Sequence, residues 1–302
     1  MKKLNRMRFE QARQYMLHQA RDLERALFRY EFEDGSFTDV LTELASYQNE
    51  DGGFGHGLEP DLRCKESSAL ATTRALEILR LNPDHPERSV RVISTLKYLE
   101  HSYVPERLGW DIIPKEAEQS PRAIWWQYGA FKDHWGNPNA DITAYFIDER
   151  ELYPLEFLES RIDYAVNYPK QSSDLHEMHE LFCYLRLNER LPKEQASEIE
   201  ETIEVFMDNC ISRDPGSREG YGATPLSIID SPNSPYFAKY QELLPLELDL
   251  LIENQGEDGA WEPNWSWYQY EEVWPLAKEE WKGILTWNAL RTLRNFERIA
   301  VD

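Results

Sequence analysis

The sequence contains no uninterrupted apolar run of about 18 residues, the length that a membrane-spanning helix needs. Its 302 residues include only three cysteines, Cys64, Cys183 and Cys210, which are an odd number and lie far apart. A disulfide framework is therefore not predicted, and a reduced protein is expected. The first residues also lack the apolar stretch of a secretory signal. Together these absences predict a cytoplasmic protein without a membrane span.

Basic residues are scarce relative to acidic ones. The chain has 33 Lys and Arg against 55 Asp and Glu, which gives a formal net charge of −22. An excess of negative charge opposes binding to phosphate backbones and to anionic lipid surfaces, so no nucleic-acid partner is predicted. Aromatic residues are abundant at 13%, with 10 Trp and 16 Tyr. Such rings either line an apolar pocket or fill the gaps between helices.

A set of segments that alternates apolar and polar residues, as β-strands do, is also missing. Apolar residues recur instead at spacings of three and four, which predicts about ten helices. The predicted helices cover 7–31, 37–48, 67–81, 86–100, two segments within 139–168, a segment capped by Asp174, 193–210, 237–253 and 278–296. Two long irregular segments, 103–138 and 213–235, interrupt them, and no linker separates two domains. The expected fold is all-α, with a single domain over residues 1–302.

Two turns repeat one motif, Gln-x-x-Asp-Gly-(Gly/Ala)-aromatic. The copies are Gln48–Phe54 and Gln255–Trp261, and each follows a predicted helix. The aspartate of each copy can accept backbone N–H bonds in the tight turn, and Gly52 and Gly53 tolerate a positive φ. The glutamine can cap exposed carbonyl groups. These residues are therefore predicted to be structural, and repeated turns of this kind indicate an array of helical hairpins.

The order of helix, turn, Gly-rich loop and small-residue helix resembles the repeat of the terpenoid cyclase and protein prenyltransferase superfamily. The resemblance is carried by Gln48–Gly55 with Ser67–Leu81, and by Gln255–Trp261 with Trp281–Leu293. The run from Asp51 to Arg63 is typical of uncharacterised bacterial members. The resemblance implies an α/α toroid, in which outer helices surround inner helices and a pocket opens at one end.

The motifs that carry the chemistry of that superfamily are missing. Class II terpene cyclases use Asp-x-Asp-Asp to protonate an alkene, class I cyclases bind diphosphate through Asp-Asp-x-x-Asp, and neither occurs here. The Asp-x-Cys of the zinc-dependent prenyltransferases occurs at Asp208–Cys210, at the end of a predicted helix and with no later histidine. No metal is predicted, the cofactor is undetermined, and the fold alone does not define a reaction.

The loop after the first turn holds the predicted catalytic residues, His56, Glu59 and Asp61. Two carboxylates beside a histidine can donate and accept protons, and Pro60 stiffens their spacing. Arg63 is predicted to bind substrate. The alternative is a structural loop in which Glu59 or Asp61 forms an ion pair with Arg63.

A second polar group lies on one predicted helix. His176 and His179 occupy adjacent turns, with Glu180 and Cys183 on nearly the same face. We predict that the two histidines and Glu180 bind substrate. The alternatives are a metal site, for which a full ligand set is not visible, and histidines that face solvent. Glu177 is predicted to complete a capping box.

Aromatic loops supply the predicted pocket walls. Their tryptophans can stack on an isoprenoid, a sugar face or a carbocation, or can simply cover the end of the helical barrel. Asn139 is predicted to cap the helix that follows one of them, with Asp141 in the first turn of that helix. The substrate-binding residues predicted here are Trp125, Trp126, Trp135, Asn139, Asp141, Trp265 and Trp267.

Three functions are compatible with these patterns. The first is an enzyme that acts by acid–base chemistry on a small apolar or isoprenoid substrate in an aromatic-lined cavity. The second is a carbohydrate lyase, hydrolase or epimerase, because Trp with carboxylates is the usual inventory of a sugar site. The third is a non-catalytic ligand-binding or scaffold protein. In each case the expected partner is a small molecule, and the oligomeric state is undetermined.

Overall fold

The computed structural model describes residues 1–217 and 220–300. Within these residues the regular structure consists of α-helices and short 3-10 helices, with isolated β-bridges in place of strands. The predicted all-α class is confirmed. None of the described helices combines the length and the apolar character that membrane crossing requires.

The helices follow one another with few long interruptions. Their bounds are α1 Arg6–His18, α2 Asp22–Phe32, α3 Phe37–Ala45, α4 Ala69–Leu79, α5 Arg88–His101, α6 Gly136–Asp148, α7 Leu158–Gln171, α8 Met178–Asn188, α9 Lys193–Cys210, α10 Phe237–Tyr240, α11 Leu244–Glu253 and α12 Trp274–Asn295. The predicted irregular segments contain the 3-10 helices Pro105–Arg107, Lys115–Gln119, Pro215–Ser217 and Pro225–Ser227.

Two predicted helices are each split in the structure. The helix predicted over 7–31 breaks because the N–H groups of Gln19 and Ala20 both bond to the Tyr15 carbonyl, which ends α1. The helix predicted over 237–253 breaks before α11, whose second residue is Pro245. Proline has no N–H to continue an existing helix but fits the first turn of a new one.

The chain divides into two compact units, Leu44–Cys210 and the combination of Met1–Glu43 with Ile211–Asp302. The single domain stays a prediction. In the Leu44–Cys210 unit, α4, α6 and α8 contact one another in succession. Each also packs against the helix that follows it, so that α4 pairs with α5, α6 with α7 and α8 with α9. In the other unit, α12 contacts both α1 and α2, and α1 packs on α2.

The two copies of the turn motif make the same hydrogen bonds. The N–H of Phe54 donates to Thr72 Oγ1 at 3.1 Å, and the N–H of Trp261 donates to Thr286 Oγ1 at 3.0 Å. Each threonine belongs to the helix after its turn. In each copy the aspartate accepts the N–H two residues later, and the glutamine side chain donates to the carbonyl four residues later. The predicted structural role of both turns is confirmed.

Each turn also presses a glycine against the backbone of a helix. Gly52 has φ +91, and a Cβ there would lie 2.3 Å from the Ser94 carbonyl oxygen of α5. Gly259 has φ +90, and a Cβ there would lie 2.4 Å from the Gln11 carbonyl carbon of α1. Only glycine satisfies both demands, so the first turn is fixed on α5 and the second on α1.

Candidate active site

The start of α6 is tied to the long loop before it by one buried side chain. Asn139 accepts the Trp110 N–H at 2.6 Å through Oδ1, and its Nδ2 donates to the Trp135 carbonyl. The Trp135 indole N–H donates in turn to the Leu108 carbonyl at 3.2 Å. These bonds hold the Trp135 ring in a defined position on the loop.

Asn139 therefore has a structural role rather than the predicted capping role. The helix begins at Gly136, and Asn137 has non-helical backbone angles before a cis peptide bond to Pro138. Both polar atoms of the Asn139 side chain are occupied by the loop. Its effect on the loop is to position Trp135.

A buried carboxylate lies behind this loop. The Glu180 side chain in the first turn of α8 is 3% exposed. Its Oε1 accepts the Gly136 N–H at 2.7 Å, and its Oε2 lies 3.2 Å from His134 Nδ1. The structure therefore joins α6, α8 and the loop through one acid, and it gives His134 an acidic partner.

The environment of Glu180 changes its acidity. Burial raises the pKa of this carboxyl to about 7, although the Gly136 N–H and the nearby His134 act in the opposite direction. A carboxyl with a pKa near neutrality can exchange a proton with an imidazole partner. Perturbed acids of this kind are found preferentially at functional sites.

His134 lines a cavity of about 320 Å³, which we call the tryptophan lobe. Aromatic rings form much of its wall, and Trp135 contacts Tyr164 edge-on with ring centroids 4.9 Å apart. The tryptophan lobe is lined by Arg107, Trp110, Ile112, Ala130, Phe131, Lys132, His134, Trp135, Asn137, Asn139, Tyr164 and Tyr168.

A second cavity of about 610 Å³ shares three of these residues, His134, Tyr164 and Tyr168. We call it the aspartate lobe, because Asp133 and Asp174 line it. The other lining residues are Asn167, Gln171, Ser172 and Ser173. The two lobes adjoin at these three residues, His134 among them, and we refer to both lobes together as the cleft.

The backbone beside His134 is strained. Phe131 has φ 57, a conformation that bulky side chains rarely adopt. Its ring packs against Trp126 at 5.6 Å and against His134 at 6.4 Å. This conformation places the Phe131 ring in the wall of the tryptophan lobe.

The predicted catalytic residues occupy another part of the same unit. His56 is exposed, with Nε2 2.8 Å from Asn49 Oδ1. Asp61 is 3% exposed, whereas Glu59 is half-buried. None of the three is among the lining residues of the two lobes. Their catalytic role stays a prediction, and the structure does not bring them to His134.

The loop of these residues is paired with the long loop through its backbone. The Ala123 N–H donates to the Asp61 carbonyl at 2.9 Å, and the Arg63 N–H donates to the Pro121 carbonyl at 3.0 Å. The Arg63 side chain is half-buried and lies outside the two lobes. This pairing gives the loop a structural purpose that is independent of chemistry.

No residue of the second predicted group lines the two lobes, but Glu180 bonds to His134, which lines both. The His176 side chain is 68% exposed and lies 3.4 Å from Asp174, and His179 Nδ1 lies 2.7 Å from Glu177 Oε1. The predicted cap at Asp174 is wrong, because Glu177 itself caps α8 by accepting the Glu180 N–H at 2.6 Å. The real helix begins four residues after Asp174.

Asp141 is buried and forms an ion pair with the half-buried Arg186 away from the cleft. It is 4% exposed, and its Oδ1 accepts from Arg186 Nε at 2.8 Å. Burial raises the pKa of Asp141, and the charge of Arg186 opposes that rise. The pair links α6 to α8, so Asp141 stabilises the helices that carry the site rather than lining it.

The remaining predicted tryptophans are distributed over both units. Trp125 is half-buried and Trp126 is buried beside Phe131. Trp265 and Trp267 belong to the other unit, where Trp265 packs edge-on against Trp281 at 5.2 Å and Trp267 is fully buried. Trp135 is the predicted tryptophan that lines the cleft.

Sequence reasoning missed the three residues that line both lobes, His134, Tyr164 and Tyr168. The two tyrosines are four residues apart on α7, a spacing that puts both on one helix face and was a usable signal. His134 gave none, because its partner Glu180 is 46 positions later. Over the described residues, no three His, Cys, Asp or Glu side chains form a group suited to a metal ion.

Comparison with known proteins leaves the site to be interpreted from its own geometry. No protein-family model, curated protein or solved structure matches this chain. The chemistry that the site supports is therefore inferred from its own residues.

Proposed function

We propose that this protein is an enzyme that binds a carbohydrate in the cleft and transfers a proton through His134 and Glu180. The proposal rests on one observation. A buried acid with a raised pKa holds the Nδ1 of a histidine that lines both lobes of the cleft. The ligand class follows from the walls of the cleft, and the reaction class follows from the pair.

The lining of the cleft suits a sugar better than a hydrocarbon. Sugars present apolar C–H faces and rings of hydroxyl groups, which match aromatic side chains interleaved with amides and phenols. A hydrocarbon in the tryptophan lobe would cover Asn137, His134 and the tyrosines without offering hydrogen bonds. Covering polar groups without replacing their bonds to water is unfavourable. The carbohydrate hypothesis is therefore favoured over an isoprenoid substrate.

His134 and Glu180 together can act as a general base. With Nδ1 engaged by Glu180, the other ring nitrogen of His134 has no hydrogen-bond partner in the described part of the chain. When Glu180 is ionised and accepts the Nδ1 proton, that nitrogen can accept a proton from substrate, and the Glu180 carboxylate stabilises the imidazolium that results. Glycoside hydrolysis uses two carboxyl groups at the scissile bond, whereas the proton carrier here is an imidazole. We therefore favour removal of a carbon-bound proton, as in a lyase or an epimerase.

The α/α toroid is part of the same proposal. In the Leu44–Cys210 unit, the succession of α4, α6 and α8, each backed by the next helix, is what an arc of inner and outer helices requires. In the other unit, the second turn packs on α1 as the first turn packs on α5. Within its own unit, α1 thus takes the place after α12 that α5 takes after α4, which is the repeated hairpin arrangement that a toroid uses. Relationship to the terpenoid cyclase superfamily would follow from this architecture.

The test is turnover of oligosaccharides in deuterated water. The wild-type protein, His134→Gln and the control His101→Gln are compared, since His101 is exposed at the end of α5 and, among the residues described, bonds only to the Lys97 carbonyl. We expect deuterium in the sugar, or an unsaturated product, with wild type and control. Loss of the general base should reduce the rate by about 100-fold or more.

Two results would count against this function. One is turnover that survives His134→Gln unchanged. The other is turnover of a prenyl diphosphate or a linear terpene with no response to any sugar. In that second case Glu59→Ala combined with Asp61→Ala would test the residues predicted from sequence.

A further inference from the structure

We infer that the ligand of the cleft is an acidic oligosaccharide, with its negatively charged unit in the tryptophan lobe beside Lys132. The inference rests on the proposed carbohydrate function and adds the class of sugar. It follows from the unequal distribution of charge over the two lobes.

The tryptophan lobe is free of acidic side chains in a chain that is rich in them. Acidic residues outnumber basic ones by 55 to 33, yet none lines this lobe, whereas Arg107, Lys132 and His134 do. Arg107 is engaged by Asp111, with Nη1 to Oδ1 at 2.5 Å. Lys132 is exposed and forms no ion pair within the described residues. Lys132 is therefore the cation that a bound anion would meet.

Asn137 adds a neutral hydrogen-bond donor to the lining of the same lobe. Its side chain is 8% exposed, and its Oδ1 accepts a long contact from Cys183 Sγ at 3.9 Å. Its amide nitrogen has no hydrogen-bond partner within the described part of the chain. Because carboxylates and sulfates only accept hydrogen bonds, this nitrogen and Lys132 suit the oxygens of such a group.

The aspartate lobe has the opposite character. Asp133 and Asp174 line it and would repel an acidic unit. A ligand with one acidic and one neutral unit therefore has a preferred direction across the cleft. Its acidic unit lies beside Lys132, its neutral unit lies beside the two aspartates, and the bond between them passes His134.

The net charge of −22 does not prevent this selectivity. At physiological ionic strength, interactions between exposed charges are screened over about 8 Å. Charges on distant helices therefore slow the approach of an anion more than they weaken its bound state. The groups within hydrogen-bonding distance decide the affinity.

The experiment is calorimetric titration of the full chain with three matched tetrasaccharides. One is neutral, one contains a uronate unit, and one carries a sulfate ester on the same position. Each is titrated into wild type, Lys132→Gln and Lys132→Arg, and circular dichroism verifies that the variants are folded. We expect both anionic sugars, or the one whose geometry fits, to bind wild type about tenfold more tightly than the neutral one.

Lys132→Gln should reduce the ratio of the affinities for anionic and neutral sugars to nearly one, whereas Lys132→Arg should retain the preference for the anionic sugars. The preference should also fall at about 1 M salt, where the screening length is about 3 Å. Equal affinity for neutral and anionic sugars, or a preference that survives Lys132→Gln, would overturn the acidic-ligand inference and leave the carbohydrate function intact. Failure of all three sugars to bind would overturn both.

Discussion

His134 Nδ1 lies 3.2 Å from the Oε2 of Glu180, an acid that is almost completely buried at the start of α8. The second oxygen of that acid accepts the Gly136 N–H at 2.7 Å. The position of the histidine is thus fixed by the same carboxyl that fixes the beginning of α6. A change at Glu180 should therefore alter both the packing at the start of α6 and the orientation of His134.

Stability should fall with rising pH because of Glu180. Burial raises the pKa of this carboxyl to about 7 in the folded protein, from an ordinary value of 4.5. Between those two pH values the folded state binds more protons than the unfolded state, so the free energy of unfolding decreases as pH rises. The loss should be on the order of 3 kcal/mol across this window.

Urea unfolding from about pH 4 to about pH 8 measures this effect in wild type and in Glu180→Gln. The glutamine cannot titrate, so its stability should lose this part of the pH dependence. Glu198→Gln is the matched control, because the Glu198 side chain is 50% exposed. Parallel pH profiles for wild type and Glu180→Gln would contradict the assignment.

Gly136 should not tolerate a side chain. A Cβ there would lie 2.4 Å from Tyr184 Cε2 and 2.9 Å from Glu180 Cγ. Gly136→Ala should therefore destabilise the protein by about 1–3 kcal/mol through overpacking. Denaturant titration against Gly222→Ala, which has open space around its Cβ, provides the comparison. Equal stability of the two variants would show that the start of α6 can accommodate a methyl group, which would contradict the close packing at Gly136.

Removing the threonine hydroxyl that bonds to each turn should destabilise the protein by a similar amount in both cases. Thr72→Val and Thr286→Val keep the side-chain shape but remove the acceptors of the Phe54 and Trp261 N–H groups. Leaving a buried N–H unpaired should cost about 1–3 kcal/mol in each case. Thr42→Val is the control, because Thr42 is exposed on α3. Unequal losses at the two turns would contradict their structural equivalence.

Removing one partner of the ion pair between Arg88 and Glu149 should destabilise the folded protein strongly. Both side chains are nearly buried, at 7% and 10% exposure, and Arg88 Nε also donates to the Leu79 carbonyl at 2.7 Å. Glu149→Gln leaves a buried cation without its counter-charge and should cost about 3 kcal/mol. Asp22→Asn removes an exposed pair with Arg25 and should cost less than about 1 kcal/mol. Thermal unfolding of both variants distinguishes these outcomes.

Local patterns in the sequence were sufficient for most of the fold. Apolar spacing located α9 over Lys193–Cys210, and the repeated turns were identified with their hydrogen-bonding roles. The break between α10 and α11 was also readable, because Pro245 lies inside the predicted helix. The break after α1 was not, since it depends on two N–H groups that share the Tyr15 carbonyl.

The candidate site was less accessible to sequence reasoning. Trp135 and Glu180 were identified by type, but their meeting depends on the path of an irregular loop that has no periodic pattern. The loop is held by side-chain bonds such as that from the Trp110 N–H to Asn139. Contacts between residues tens of positions apart are set by tertiary packing, and a single sequence carries no direct record of them.

A crystal structure of the protein with the best-binding oligosaccharide would decide the function of the cleft. The sugar should lie against Trp135 and across the junction of the two lobes, with a hydroxyl or a C–H group directed at the free nitrogen of His134. The same sugar bound beside His56, Glu59 and Asp61, with the cleft empty, would contradict the assignment of the cleft as the active site.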